Sequence, residues 1–175
     1  MPAMRSRRAD RRPGFAADVT QGAIVGVRRG LPADRAFVED LAERTVMSSV
    51  AAFRQPAEIM VRVALSRLLE IVENQSHVTL IAQCDDEPVG FVLLLDDLPD
   101  EVTSMPQGFI AYMAVEPERQ HAGIGAALLN AAEDEARRRG LPYMALMVTE
   151  ENAPARALYE RHGYFTERRL LCKTL

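Results

Sequence analysis

Val115 to Gly125 reads Val-Glu-Pro-Glu-Arg-Gln-His-Ala-Gly-Ile-Gly, and the reading of this stretch decides the fold. An apolar run, Phe109 to Val115, leads into it, and an amphipathic segment, Ala126 to Gly140, follows. The order is strand, short glycine-bearing turn, helix. Such a turn sets free backbone N–H groups at a helix N-terminus, where they can hold an anion. Neither Gly123 nor Gly125 carries a Cβ, so the main chain there can approach a phosphate closely. The same two glycines would also serve to cap a helix or pack it against a sheet, so the surrounding residues have to decide.

Two widespread phosphate fingerprints are absent. In G-x-G-x-x-G the third glycine would fall on Leu128, and no acidic residue ends a second strand about 20 residues further on. No Gly-Lys-Ser or Gly-Lys-Thr follows, as a P-loop requires. Nicotinamide and nucleoside triphosphate ligands are therefore disfavoured.

A second cluster lies downstream. After the apolar run Tyr143 to Val148, residues 152–164 read Asn-Ala-Pro-Ala-Arg-Ala-Leu-Tyr-Glu-Arg-His-Gly-Tyr. Together, Gln120-x-x-Gly123-x-Gly125 and Asn152-x-x-Ala155-x-x-Leu158-Tyr159-x-x-x-Gly163-Tyr164 resemble the GNAT superfamily of acyl-CoA-dependent N-acyltransferases. The first is similar to that family's pyrophosphate loop. The second is similar to its asparagine-then-tyrosine helix, closed by a Gly-aromatic pair. The resemblance covers residues 78–170, and the first third of the chain only by element order.

The 175 residues, 48% of them apolar, suffice for one domain with a core. A net charge of −4 gives no general attraction to nucleic acid or anionic lipid. No apolar run reaches the roughly 18 residues of a membrane helix, and no signal-peptide core is present, so a cytoplasmic protein is expected. Cys84 and Cys172 lie in apolar strand-like runs without metal spacing and read as core thiols rather than a disulfide. Residues 1–21 carry Arg5, Arg7, Arg8, Arg11 and Arg12 against Asp10 and Asp18. They read as a basic, disordered arm ahead of a single domain, 22–175.

Within that domain, Ala23 to Arg28 alternates as a first strand, and Asp34 to Met47 and Pro56 to Glu73 read as helices. In the second helix Met60, Val63, Ala64, Leu68, Ile71 and Val72 form the predicted core face. His77 to Cys84 and Val89 to Asp96 make a hairpin through Asp85-Asp86-Glu87-Pro88. A strand, the long helix, the strand 143–148 and a short helix 153–162 follow. Tyr164 to Arg168 and Leu170 to Thr174 are predicted as a last strand or strand pair. The expected fold is a mixed, mostly antiparallel α/β sheet of six to seven strands flanked by about four helices.

The resemblance implies acetyl-CoA as cosubstrate and no metal. Anchoring of its diphosphate falls to the main chain from Gln120 through His121, Ala122, Gly123, Ile124 and Gly125 to Ala126. Many family members carry a basic residue where this chain has Gln120, and another where it has Ala122. Backbone donors therefore carry more of the expected binding here, with His121 the one possible cation inside the loop. In relatives, backbone groups matching Met113, Ala114 and Val115 pair with the pantetheine arm. The Val115 amide is suited to polarise the thioester carbonyl. Tyr159 is the expected proton donor to the departing thiolate, and Asn152 both caps the short helix and contacts the cofactor. For the base that deprotonates the amine, Tyr112, Glu116, Glu150, Glu151 and relayed water stay open.

These readings converge on N-acetyl transfer to a primary amine by direct attack in a ternary complex. In the ribosomal-protein N-terminal acetyltransferases a glutamate stands five residues before the asparagine, where this chain has Met147. A small or amino-acid-like acceptor is accordingly favoured over a protein N-terminus or lysine, and a homodimer is compatible with either. The acidic run Asp96 to Glu101 either attracts a cationic amine or is a solvated connection. The rival from another class is a non-catalytic acyl-CoA-binding module, which would tolerate loss of Tyr159.

Overall fold

A computed structural model describes residues 25–175. The elements run β1 (Val25–Arg29), α1 (Arg35–Thr45), α2 (Glu58–Glu73), β2 (His77–Cys84), β3 (Glu87–Leu95), β4 (Gly108–Val115), α3 (Ile124–Arg138), β5 (Met144–Leu146) and α4 (Ala153–Arg161). The strands lie in sequence order in one sheet, antiparallel from β1 to β4, with β5 parallel to β4. The two residues joining β2 to β3, Asp85 and Asp86, both have left-handed φ (51° and 65°). That is the backbone of a type I′ hairpin, whose twist matches its strands.

Each face of the sheet is covered by helices, giving three layers. On one face, Val38, Leu41 and Ala42 of α1 and Val61, Leu65 and Val72 of α2 pack with Ile81, Phe91 and Leu93. On the other, Ile124, Leu128, Leu129 and Ala132 of α3 pack with Leu80, Val92, Leu94 and Ile110. Phe91, Leu41, Ile81 and Leu128 are fully buried, and each such side chain contributes about 1.5–3 kcal/mol. A charged cluster closes the back of the molecule. Glu135 of α3, 1% exposed, is held by Arg29 of β1 (2.5 Å) and by Arg138 and Arg139, and Arg139 also reaches Asp96 past the end of β3.

Three expectations require correction. The strand count among the described residues is five. Residues 164–175 form no strand, and Phe165, Leu170 and Leu171 stand 86–91% exposed; the tail is held instead by Arg168 against Asp100 and Glu101. A strand needs a partner edge as well as β-prone residues, and sequence reports only the latter. The core face of α2 is rotated from the predicted one. Met60, Val63 and Ile71 are 66%, 45% and 51% exposed, while Val61, Leu65 and Val72 are buried and Leu68 and Leu69 partly so. Apolar residues cover more than half of this helix, and contact with α1 and the sheet selects the adjoining stripe. Finally, Cys84 is buried but Cys172 is exposed, and both are free thiols. The basic arm 1–21 and the start of the first predicted strand lie outside the described residues. Among those described, no helix is long and apolar enough to cross a membrane.

Candidate functional site

β5 pairs with β4 along its whole length, Met144 to Leu146, but reaches only the beginning of β4, Gly108 to Ile110. Past Ile110 the strands part. β4 continues to Val115 on β3 alone, with Leu93 opposite Tyr112 and Gly90 opposite Val115. The register shifts between Leu93 and Leu94, leaving Ala111 as an extra residue on β4. Such a bulge bends the strand and sharpens its twist, which turns the second half of β4 away from β5. The amide of Glu116 donates to the Val89 carbonyl of β3 at 2.9 Å. Main-chain groups alternate sides along a strand, so those of Val115 and Met113 point the other way, into the gap beside β5. A row of unpaired donors and acceptors results, ready to take an extended, amide-bearing ligand as an added strand.

The gap leads to the glycine turn. Pro117–Arg119 makes one 3-10 turn; Pro117 removes a donor and ends β4. Two residues of the loop have left-handed φ, His121 (64°) and Gly123 (81°). Left-handed backbone is uncommon for a side-chain-bearing residue, though histidine is among those that adopt it, and alternating turns of this kind form anion-binding concavities. The first paired amide of α3 along the helix is that of Ala127, on the Gly123 carbonyl (3.0 Å). The amides of Ile124, Gly125 and Ala126 precede it and have no intrahelical carbonyl to reach. Gln120, His121, Ala122 and Gly123 are exposed, Ile124 is buried, and Gly125 and Ala126 are half-buried.

Beside this turn lies α4. Asn152 caps it, its Oδ1 accepting from the Ala155 amide at 3.3 Å, and Pro154 occupies the first turn, where its missing N–H costs nothing. Leu158 of α4 meets Gly125 of α3, and the next residue, Tyr159, is half-buried against the same α3-side core. The Tyr159 ring lies 5.9 Å from that of Tyr164, tilted by 57°, and the Tyr164 amide donates to the Tyr159 carbonyl (3.0 Å). Gly163, with φ 84°, makes the turn that brings Tyr164 back. Burial pushes the Tyr159 hydroxyl above its ordinary pKa, keeping it protonated at neutral pH. Tyr164 is raised further, first by burial and then by the Glu133 carboxylate.

Residues 45–164 match the model of the acetyltransferase (GNAT) family. The chain belongs to the GNAT family. It is 35% identical over 94 residues to an uncharacterized N-acetyltransferase of Bacillus subtilis, YhfO; the match spans 53% of this chain and 62% of that one. Among solved structures, a putative acetyl transferase from Pyrococcus furiosus superposes with a TM-score of 0.75 at 23% identity, covering 87% of this chain and all of that one. The aminoglycoside N-acetyltransferase AAC(6')-Iy, in complex with CoA, does so with a TM-score of 0.64 at 16% identity, covering 90% and 98%. At these identities the two structures establish a shared fold.

Within this GNAT framework the expected residues separate into two groups. The Met113–Val115 edge, the Gln120–Ala126 loop and Tyr159 gather around the gap and the start of α3, and Asn152 caps the helix that carries Tyr159. The candidate bases sit apart or already have partners. Tyr112 faces the α1 side; its hydroxyl lies 3.2 Å from Thr45 Oγ1 and 3.4 Å from the Ala42 carbonyl, and burial raises its pKa, which opposes a base role. Glu116 is gripped by Arg44 through two bonds of 2.8 Å, and Glu150 pairs with Arg156 at 2.8 Å. Glu151 is exposed. The acidic run 96–101 follows β3 at the opposite end of β4 from Val115, about 20 Å away by strand rise. Its Asp100 and Glu101 are occupied by Arg168. It is a connection remote from the gap.

Sequence reasoning did not single out Arg44 or the Ala111 bulge. Arg44 lies 72 positions from its partner with no local pattern, and nothing in Phe-Ile-Ala-Tyr-Met-Ala-Val marks an extra residue. Among the described residues, no group of three or more His, Cys, Asp or Glu side chains is placed to hold a metal ion.

Proposed function

We propose that this chain is an acetyl-CoA-dependent N-acetyltransferase acting by direct transfer to a primary amine of a small or amino-acid-like acceptor. The observation that carries this reading is the parting of β4 from β5 beside the start of α3. It sets an open strand edge and a cradle of free amides end to end, the two features a pantetheine diphosphate requires. The site's donors are neutral amides, which suits a ligand recognised by its own amides and held by its phosphates. That AAC(6')-Iy is described with CoA supports the cosubstrate.

Acetyl-CoA supplies an activated acyl group as a thioester. The amides from His121 to Ala126 hold the diphosphate, aided by the positive end of the α3 dipole. Met113 and Val115 hold the arm in register, and the Val115 N–H, pre-aimed into the gap, stabilises charge developing on the carbonyl oxygen. Tyr159 gives its proton to the leaving sulfur. Between ordinary values of about 10 for a tyrosine and 8.5 for a thiol that transfer runs uphill by roughly 2 kcal/mol, small enough for a positioned acid to assist, and burial of Tyr159 adds to the cost. Since Tyr112, Glu116 and Glu150 are engaged by protein partners, deprotonation of the amine falls to Glu151 or to water on the outward carbonyls of the β4 edge.

The deciding experiment pairs calorimetric binding of coenzyme A with a thiol-release assay over an amine panel. Tight binding and release dependent on one amine class are expected. Gly123→Val forces a β-branched residue into left-handed backbone and should abolish binding. Full binding by that variant, or thiol release indifferent to every amine, would overturn the reading.

A further inference from the structure

The C-terminal turn of α1 is tied to the far end of β4 by a charged clamp. Arg44 donates through both terminal nitrogens to Glu116, 2.8 Å to each carboxylate oxygen, while its Nε donates to Asp40 at 2.8 Å. Next to it, Thr45 Oγ1 lies 3.2 Å from the Tyr112 hydroxyl. Glu116 is the residue between Val115, whose main chain faces the gap, and Pro117, which opens the loop. Its side chain is only 20% exposed, and its carboxylate belongs to a segment that also carries Glu118. Glu116 and Glu118 stand four and two residues before Gln120, and an unpaired carboxylate so near a diphosphate loop opposes binding. The planar guanidinium fork neutralises that of Glu116 and fixes the strand end at the same time.

We propose that Arg44 is a positioning residue for coenzyme A. By pairing with Glu116 it neutralises a negative charge on the approach to the loop. The inference rests on the reading that the Gln120–Ala126 loop takes the diphosphate. It links the helix on one face of the sheet to the cofactor edge, a connection that neither loop motif contains.

The test is the dissociation constant of coenzyme A, measured by calorimetry at low and high salt, for the wild type and four variants whose folding is checked by thermal unfolding. Arg44→Ala should weaken binding about five- to tenfold at low salt, the effect of one unscreened charge near a protein surface. Arg44→Lys, which keeps the charge without the fork, should weaken it about twofold. Glu116→Gln should bind at least as tightly as wild type. The double variant Arg44→Ala, Glu116→Gln should recover to within about twofold of wild type, because the charge that Arg44 masks is gone. At about 0.5 M salt the Arg44→Ala defect should shrink severalfold through screening. A purely structural clamp would show neither the recovery nor the salt dependence.

Unchanged affinity in Arg44→Ala overturns the proposal, as does a double variant as weak as that single one. Loss of kcat in Glu116→Gln with affinity intact also overturns it, by showing that Glu116 handles a proton instead. Gly123→Val keeps the two readings apart. If that variant binds normally, the loop assignment itself fails; if it is defective while Arg44→Ala is not, only the role of Arg44 falls.

Discussion

The first turn of α3 rests on α4 through Gly125 and Leu158: a Cβ built on Gly125 would lie 3.2 Å from Leu158 Cδ2. The two glycines of the turn thus have different reasons. Gly123 has φ 81° and open space where a Cβ would point, so its requirement is the backbone conformation. Gly125 has ordinary helical backbone, and its requirement is the approach of the helix that carries Tyr159. Gly125→Ala should therefore displace α4 by a few tenths of an ångström and lower kcat about three- to tenfold, as small misplacements of a reacting group do. Coenzyme A affinity should change less than twofold. Steady-state kinetics beside calorimetry would check this; equal losses in kcat and affinity would return Gly125 to the phosphate site.

Tyr159→Phe removes the proton donor without altering the packing of its ring on Tyr164. Turnover should fall at least tenfold with coenzyme A affinity nearly unchanged, the range general-acid groups span. Unaltered turnover would remove Tyr159 as the acid and favour the non-catalytic reading.

The pH profile carries a separate expectation. Burial holds the Tyr159 pKa above its ordinary value of about 10, so the acid form persists through the neutral and mildly alkaline range. In the wild type kcat should rise with pH as the amine loses its proton, then fall only above about pH 10. Tyr159→Phe should lack that alkaline fall. A descending limb near pH 8 would point to a different acid.

The parts of this site that sequence conveys are those set by local chemistry. Strand, glycine turn and helix follow one another within Phe109 to Arg138, and the Asn152 cap with Pro154 announces α4 on its own. Features that depend on a distant partner left no local mark. Residues 164–175 carry β-prone residues such as Tyr164, Phe165 and Thr166, yet no neighbouring edge receives them. α2 offers an apolar arc wide enough for two core faces, and only the docking of α1 chooses Val61, Leu65 and Val72. The gap beside β4 comes from one unpaired residue, Ala111, inside an unbroken apolar run. Arg44 stands one residue before the 45–164 family match and Glu116 within it, 72 positions apart, so no local pattern announces the pair.

Stability should also report on Asp34, which stands just before α1 and is buried. Its carboxylate receives both arms of the Arg28 guanidinium, at 2.6 and 2.8 Å, and the Leu31 amide at 2.7 Å. The Arg28 bonds, against an opposing cost of burial, hold the carboxyl below its usual range, with the Leu31 amide adding to the effect. A carboxyl whose folded pKa is depressed contributes stability that is present above its unfolded pKa, about 3.9, and is lost as pH falls through the lower folded value. Asp34→Asn should therefore cost about 2 kcal/mol at pH 7, lowering Tm by roughly 4–8 °C for a chain of this size. As pH falls through that lower folded value the wild type protonates the same carboxyl, and the gap between the two proteins should shrink. Differential scanning fluorimetry of both as pH is lowered measures it. A gap that stays constant from pH 7 to pH 2 would place the cost in lost geometry at the entry to α1 rather than in the ion pair.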